Sequence, residues 1–472
     1  MASQSCWRCL LRCPPSIYPG NRLFSTTPAV LAKPLKAKKS DQAFGAPKKG
    51  VKSLRIKKKV AGKSTGKPPA PGERKAIRKR IVLSNTNALE VKGMQDLSNE
   101  NMADEEVRGT VVGLPGPLVD RLRAVEAFRT GQGWGLFRRP GVLMRGDSLE
   151  IAKALEGVES EKKTLRRIYT GERRSGKSVI LLQAISMAFL KDWVVVTIPE
   201  GQDLTNAHTE YAPLHSTTPV QYVQRAYTAS LLSRISKANA PILSNLKTSL
   251  SHKLPIPIPR DTPLSRLADL GVRDPDIAWP IFQALWDELT STQAARPPIM
   301  LTLDGLGHTM RDSQYRDPAF KPIHAHDLAI VRHFVDLLSG ARSLPNGGAV
   351  LAATSASNVP STPSLALALS QRLHSTTTTS SQQQTLSRLK PIQRNPFIAY
   401  DERVLQSITP SVDIVELQGL SREEARGLME YYAASGMLRH KIDESFVTEK
   451  WTIAGGGVVG ELEKASVMGV RV

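Results

Sequence analysis

Cysteine is scarce in this chain of 472 residues, and its three copies, Cys6, Cys9 and Cys13, all lie within the first 13 positions. A Cys-x-x-Cys spacing builds a zinc site only with a second pair of ligands, and the sequence offers neither another cysteine pair nor a His-x-x-x-His motif. We therefore exclude thiol catalysis, disulfides and a cysteine-ligated metal from the rest of the chain.

Long apolar runs and aromatic residues are also few. A membrane-spanning helix needs about 20 consecutive apolar residues, and no segment reaches that length, so we expect no membrane span. Aromatic residues make up 5% of the chain, and no RNA-reading module with stacking aromatics is visible.

Acidic residues are nearly absent from residues 1–80, which contain 21 Lys and Arg against only Asp41 and Glu73. Residues 1–27 hold three arginines, several Ser and Thr, and no acid, a composition that predicts a mitochondrial targeting peptide. A disordered cytosolic or nuclear tail is the alternative. Cleavage is expected near Ser25, and the protein is expected in the mitochondrial matrix.

Residues 28–80 mix Lys and Arg with Gly, Pro and Ser, and cannot bury an apolar core. We predict a disordered basic arm that neutralises RNA phosphates, with a solubilising tail as the alternative. Residues 81–472 hold 43 basic and 41 acidic residues, which is an ordinary balance for a folded protein.

An unbroken G-x-x-x-x-G-K-S motif occupies residues 171–178, between a short apolar strand and an apolar helix. Glycines at these positions let backbone N–H groups surround a phosphate, the lysine pairs with phosphate oxygens, and the serine hydroxyl binds Mg²⁺. The predicted nucleotide contacts are Gly171, Glu172, Arg173, Arg174, Ser175, Gly176, Lys177, Ser178 and Val179. A basic surface turn that matches the motif by accident is the alternative.

A second apolar strand ends in Asp304, as a Walker B strand does, and we predict that Asp304 and Ser178 hold Mg²⁺. An acidic residue that only caps the strand is the alternative. Gly305 occupies the position where P-loop proteins that hydrolyse nucleotide usually have a glutamate that activates water. We therefore assign no catalytic residue and expect slow hydrolysis at most. A base from Glu200, Glu210 or a partner stays open. Ser355 follows another strand and is predicted either to sense the γ-phosphate or to be a plain turn residue.

Apolar strands alternate with amphipathic helices from residue 165 onward, which predicts an α/β fold with a parallel sheet and flanking helices. Predicted strands are 165–169, 193–198, 299–303 and 349–353; predicted helices are 179–190, 222–235, 277–289 and 328–338. Arg166 and Arg167 conflict with a buried first strand, so either that strand starts later or its outer end is exposed.

The predicted organisation is a targeting peptide (1–27), a basic arm (28–80), a lead-in segment (81–148), a nucleotide-binding domain (149–400) and a small C-terminal helical lid (401–472). The lid contains a capping box that begins at Ser421.

Several segments together resemble the death-associated protein 3 family, which are GTP-binding, AAA+-like P-loop proteins of the mitochondrial small ribosomal subunit. The resemblance covers residues from about 143 to the C-terminus. The segments that carry it are 166–178, 193–199, 222–224, 304–305, 327–328 with Phe334, 446–451 and 454–457.

The resemblance implies a structural ribosomal protein that supports mitochondrial translation, contacts small-subunit rRNA and neighbouring ribosomal proteins, and binds GTP or GDP with Mg²⁺. Guanine rests on the resemblance alone, because no Asn-Lys-x-Asp motif is present, and ATP stays open. An AAA+-type matrix ATPase that acts as a remodeller or assembly factor is the alternative function.

Overall fold

The computed structural model describes residues 81–214, 217–356, 361–377 and 393–468. The predicted targeting peptide and basic arm lie outside these residues. The described strands, in chain order, are β1 (Val111–Gly113), β2 (Gly141–Leu143), β3 (Thr164–Gly171), β4 (Val194–Ile198), β5 (Ala212–Leu214), β6 (Gln221–Val223), β7 (Ile299–Asp304), β8 (Asp312–Arg316), β9 (Pro322–His324), β10 (Gly348–Ala353) and β11 (Asp413–Leu417).

The described α-helices follow the same chain order. They are α1 (Gly116–Ala124), α2 (Gly146–Glu161), α3 (Lys177–Leu190), α4 (Gly201–Thr205), α5 (Arg225–Ala238), α6 (Ala240–Leu243), α7 (Leu264–Arg273), α8 (Ala278–Leu289), α9 (Ala329–Ser339), α10 (Pro363–Thr377), α11 (Glu402–Ser407), α12 (Arg422–Ala434), α13 (Glu444–Ile453) and α14 (Val459–Glu463). None of the helices in these ranges has the length and apolarity needed to cross a membrane.

Five parallel strands form the central sheet, in the order β11-β3-β10-β7-β4. Every residue of β4 and β10 is buried, because helices cover both faces and leave no strand face for polar side chains. This arrangement confirms the predicted α/β class with a parallel sheet and flanking helices. The four predicted strands correspond to β3, β4, β7 and β10.

Helix α3 follows β3 and is apolar on nearly all sides, as expected for a helix buried between layers. One face packs on the sheet and another meets α1 of the lead-in segment and α2, which follows that segment. Leu118 and Leu122 of α1 share an apolar cluster with Leu181 and Ile185 of α3. The lead-in segment is therefore fixed to the sheet through α3.

The structure corrects two element predictions. Residues 413–417, predicted inside a helical lid, form the edge strand β11, because their apolar residues Ile414 and Leu417 pack on the core while the strand pairs with β3. The predicted helix 222–235 starts instead at Arg225, since residues 221–223 form β6 and pair with β5.

The two arginines of β3 lie at the outer end of the strand. The side chain of Arg166 donates to the carbonyl oxygens of Leu337 and Arg342, and Arg167 pairs with Glu150 at 2.9 Å. The first three residues of β3 are half-buried and only the later ones are fully buried before the loop. The strand starts at Thr164, one residue before the predicted start, and its half-buried outer end reaches only to Arg166, because Arg167 is buried.

The predicted capping box at Ser421 is present at the start of α12. The Ser421 hydroxyl accepts a hydrogen bond from the Glu424 N–H at 3.1 Å, and the Glu424 carboxylate accepts from the Ser421 N–H at 2.9 Å. These reciprocal bonds satisfy two N–H groups at the start of α12.

Candidate functional site

The loop between β3 and α3 consists of residues 172–176, which join the strand end at Gly171 to the helix start at Lys177. Gly171 and Gly176 have φ angles of +135° and +100°, which L side chains rarely adopt. A Cβ at Gly171 would also lie 2.7 Å from the carbonyl oxygen of Leu417. Both glycines of the motif are therefore required by the backbone path.

The Lys177 side chain lies within this loop and is 7% exposed. Its ammonium donates hydrogen bonds to the carbonyl oxygens of Gly171, at 2.8 Å, and Glu172, and it lies 3.3 Å from the Ser175 hydroxyl. Burial lowers the pKa of Lys177, while the negative charge of Asp304 acts in the opposite direction. The backbone of the loop thus surrounds the positively charged ammonium group of Lys177.

A large cleft of about 1220 Å³ opens at the carboxyl ends of the parallel strands. This is the edge at which open α/β sheets bind ligands, and the volume exceeds that of a typical small-molecule site. Of the residues predicted from sequence, the following line it: Arg173, Arg174, Gly176, Lys177, Ser178, Val179, Asp304 and Ser355. Gly171, Glu172 and Ser175 lie in the loop itself, where they shape the backbone and accept from Lys177.

Asp304 faces the phosphate loop from the end of β7 and carries a partner that the sequence did not predict. Arg129, from the lead-in segment, pairs with the Asp304 carboxylate at 2.8 Å and with Glu200, just after β4, also at 2.8 Å. The Arg129 and Asp304 side chains are 21% and 14% exposed. One guanidinium therefore joins the carboxylates that follow two strands of the sheet.

The protein alone supplies only part of the ligand set that Mg²⁺ requires. Ser178 offers a hydroxyl and Asp304 a carboxylate, both hard oxygen ligands, and Mg²⁺ takes its remaining ligands from phosphates and water at such sites. The described residues contain no group of three or more His, Cys, Asp or Glu that would hold a metal without a nucleotide. The donor set therefore suits a metal that arrives with phosphate.

The cleft separates the two glutamates that the sequence offers as a base for hydrolysis. Glu200 lines the cleft, whereas Glu210 does not. The Glu200 carboxylate accepts one hydrogen bond from Arg129, at 2.8 Å, and its side chain is 45% exposed.

The phosphate loop is supported from behind by Arg145, which is 6% exposed. Its guanidinium donates to the carbonyl oxygens of Ser175, at 3.1 Å, and Gln418, at 2.9 Å. Because Gln418 follows β11, the arginine ties the loop to the edge strand of the sheet.

The lid reaches the loop from the other side. The Gly460 N–H donates to the Arg174 carbonyl oxygen at 3.1 Å, and the Arg174 guanidinium pairs with Glu461 at 2.8 Å. Arg174 has a φ of +66°, a conformation that these contacts with α14 help to hold. Sheet, lid and lead-in segment all contribute walls to the cleft.

Sequence reasoning missed Arg129, Arg145 and Glu463 as residues of the site. Arg145 lies immediately before α2 and Arg129 precedes a glycine-rich stretch, 131–135, whose backbone also lines the cleft. That stretch was the available signal, because closely spaced glycines often mark backbone that approaches a ligand.

Residues 142–465 match the family described as mitochondrial ribosomal death-associated protein 3. The matched range includes the phosphate loop, Asp304 and most of the lid. The chain belongs to the death-associated protein 3 family. Its membership confirms the predicted resemblance and the predicted location in the mitochondrial ribosome.

Two proteins with similar sequences share one name, small ribosomal subunit protein mS29. The chain is 44% identical to the small ribosomal subunit protein mS29 of Neurospora crassa, over 100% of both chains. It is 23% identical to the small ribosomal subunit protein mS29 of Schizosaccharomyces pombe, over 77% of this chain and 72% of that protein. The full-length match extends the similarity beyond the family's matched range, into the lead-in segment.

Proposed function

We propose that this chain is a structural component of the mitochondrial small ribosomal subunit that binds a purine nucleotide with Mg²⁺ and contacts rRNA. Family membership supports the ribosomal part, and both relatives are named as small-subunit proteins. The nucleotide part is carried by one observation: the Lys177 loop and the Asp304 carboxylate face the same cleft. GTP or GDP is the proposed ligand by resemblance to the family, and ATP is the alternative.

The fold supports this proposal as a P-loop NTPase arrangement of the AAA+-like kind. A parallel strand, a glycine-bounded loop and a helix N-terminus follow one another from β3 to α3, and backbone N–H groups at such a helix start bind phosphate. Asp304 ends β7, which is separated from β3 in the sheet by the single strand β10. A magnesium-binding carboxylate would occupy such a position.

Contact with rRNA is proposed from charge. Residues 28–80 contain 18 Lys and Arg against two acidic residues, and a cationic segment of this density releases counterions when it neutralises phosphates. Assembly with neighbouring ribosomal proteins is proposed from the names of the relatives.

The first experiment is sedimentation of mitochondrial matrix extract on sucrose gradients at low and moderate salt, followed by identification of the nucleotide released from the purified chain. The proposal expects co-migration with the small subunit and about one purine nucleotide per chain. A free particle of hexamer size with rapid ATP turnover would contradict it and would favour the matrix remodeller.

Lys177→Ala tests the phosphate site directly. The parent should gain thermal stability when GDP and Mg²⁺ are added, because a ligand at 100 times its Kd adds about 2.7 kcal/mol to the free energy of unfolding. The variant should lose that gain, since its loop has no ammonium for the phosphates.

The matched control is Lys153→Ala, a lysine on α2 that pairs with Glu105 at the surface. It should respond to GDP as the parent does. If Lys177→Ala were stabilised as strongly as the control, the phosphate site would be assigned to the wrong residues.

A further inference from the structure

Glu463 ends helix α14 of the lid and lines the same cleft as the phosphate loop. The Glu463 carboxylate lies directly against Gly133 of the glycine-rich stretch, and a Cβ at position 133 would collide with it. The absence of a side chain at 133 gives the Glu463 carboxylate its present place in the cleft wall.

The Glu463 carboxylate has no hydrogen-bond donor among the described residues, although the residue is half-buried. Its neighbour Glu461, in contrast, pairs with Arg174 and Lys464. Burial raises the pKa of Glu463, while the positive charge of Arg174 acts in the opposite direction. A carboxylate on a cleft wall can accept hydrogen bonds from the donors of a bound ligand.

Helix α14 holds Glu463 beside the loop. The Gly460 N–H bonds to the Arg174 carbonyl oxygen of the loop, at 3.1 Å, and Glu463 lies three residues further along the helix on the same face. Glu463 therefore lies on the lid side of the cleft, next to the loop.

Aromatic side chains surround the same part of the cleft. Phe137 stacks on Tyr432 with a ring separation of 5.7 Å and contacts Tyr431 at 4.9 Å, and all three line the cleft. Flat apolar walls with one convergent acidic group are the usual composition of a site for a heterocyclic ring.

We propose that Glu463 reads the base of the bound nucleotide and selects guanine, an inference that rests on the proposed nucleotide site. Guanine carries two adjacent donors, N1–H and the N2 amino group, which match the two oxygens of a carboxylate. Adenine presents an acceptor, N1, beside its amino group, so one carboxylate oxygen would face a lone pair. Glu463 thus attracts one purine and repels the other, and specificity requires both effects.

The test measures binding of GDP, ADP, IDP and XDP, each with Mg²⁺, to the full chain and to Glu463→Gln by calorimetry. The parent should prefer GDP over ADP, and IDP should bind more weakly than GDP because it lacks the 2-amino group. In Glu463→Gln the GDP affinity should fall roughly 10- to 100-fold, the range expected for lost charge-assisted hydrogen bonds.

The same substitution should improve binding of XDP, because the amide can accept from N1–H and donate to the C2 carbonyl of xanthine. Loss of folding cannot produce a gain for one nucleotide beside a loss for another. The control is Glu430→Gln, an exposed lid residue that pairs with Arg426 and should keep the parent's order of affinities.

Four results decide the question. A switch from GDP towards XDP supports the inference. Equal affinity of the parent for GDP and ADP overturns it while the proposed nucleotide site stands, and so does a guanine preference that Glu463→Gln leaves unchanged. Failure of the parent to bind any of the four nucleotides overturns the proposed function itself, and the inference with it.

Discussion

Acid should weaken the folded chain through His333, a buried histidine on α9. Its ring packs edge-on against Trp286, at 4.3 Å between ring centroids, and against Phe282, at 5.3 Å. Burial, aided by the positive charge of Arg342, lowers the pKa of His333 to about 3. The ring Nε2 has no hydrogen-bond partner among the described residues, so the site accepts the neutral ring only.

The magnitude follows from the two pKa values of the folded and unfolded chain. An unfolded histidine has a pKa of about 6.5, so below that pH the unfolded chain binds a proton that the folded chain excludes. Stability from this group is complete above pH 6.5 and is lost as the pH falls towards 3. At pH 5 the gap of about 1.5 pH units corresponds to a loss of about 2 kcal/mol, at roughly 1.4 kcal/mol per unit.

His326 adds a second loss of similar size, because burial, aided by His324, lowers its pKa to about 3 as well. We therefore compare the parent with His333→Phe, which keeps an aromatic ring among Phe282 and Trp286 but cannot take up a proton. Urea unfolding at pH 8 and pH 5 measures the change in the free energy of unfolding for each chain. The parent should lose about 2 kcal/mol more than the variant between these pH values.

A control at His440 separates this effect from the other histidines. His440 is exposed and stacks only on Phe446, so His440→Phe should keep the parent's pH dependence. If His333→Phe and the parent lost equal stability on acidification, the reasoning from burial would be refuted.

Two further predictions concern buried or cleft-facing arginines. Arg296→Met should lower the free energy of unfolding by about 3 kcal/mol in urea titration, because it removes the guanidinium that lies 2.6 Å from the fully buried Glu288 carboxylate. Arg129→Gln should lower the Mg²⁺ concentration at half-maximal GDP stabilisation, since Arg129 and the metal compete for the Asp304 carboxylate.

Exposed ion pairs provide the controls. Arg394→Met removes the surface pair with Glu402 and should leave the free energy of unfolding nearly unchanged; an equally small effect of Arg296→Met would contradict the burial argument. Arg139→Gln removes the pair with Asp96, outside the phosphate site, and should leave the Mg²⁺ dependence unchanged. An unchanged or higher Mg²⁺ requirement in Arg129→Gln would show that the two cations do not compete.

The central strands were predictable because local signals and tertiary packing agree there. The runs that became β4, β7 and β10 are apolar apart from two threonines and the terminal Asp304, as expected for strands buried on both faces. Strand β11 was missed because its sequence, Asp-Ile-Val-Glu-Leu, lacks the strict alternation of polar and apolar residues that predicts a half-buried strand, and it lies among helical segments. Only pairing with β3, which is distant in sequence, decides its conformation.

The residues of the candidate site also fall into those that the sequence predicted and those that it did not. The loop at 171–178 and Asp304 were predictable because each motif is contiguous and its chemistry is local. Arg129 and Glu463 were not, because their roles depend on the lead-in segment and the lid meeting across the cleft. The only local signal near Arg129 is the glycine-rich stretch 131–135, and Glu463 has none.

The cleft's construction favours a structural use of nucleotide over rapid turnover. Its walls come from the lead-in segment, the ends of β4, β7 and β10, and the lid, so a ligand bound there would stabilise contacts among parts that are far apart in sequence. Such stabilisation grows with ligand concentration relative to Kd and needs no hydrolysis. Turnover would need a base beside the phosphates, whereas position 305, where P-loop proteins that hydrolyse nucleotide usually have a glutamate, is a glycine. A protein that must hold one shape within a large assembly gains from the first property and needs nothing from the second.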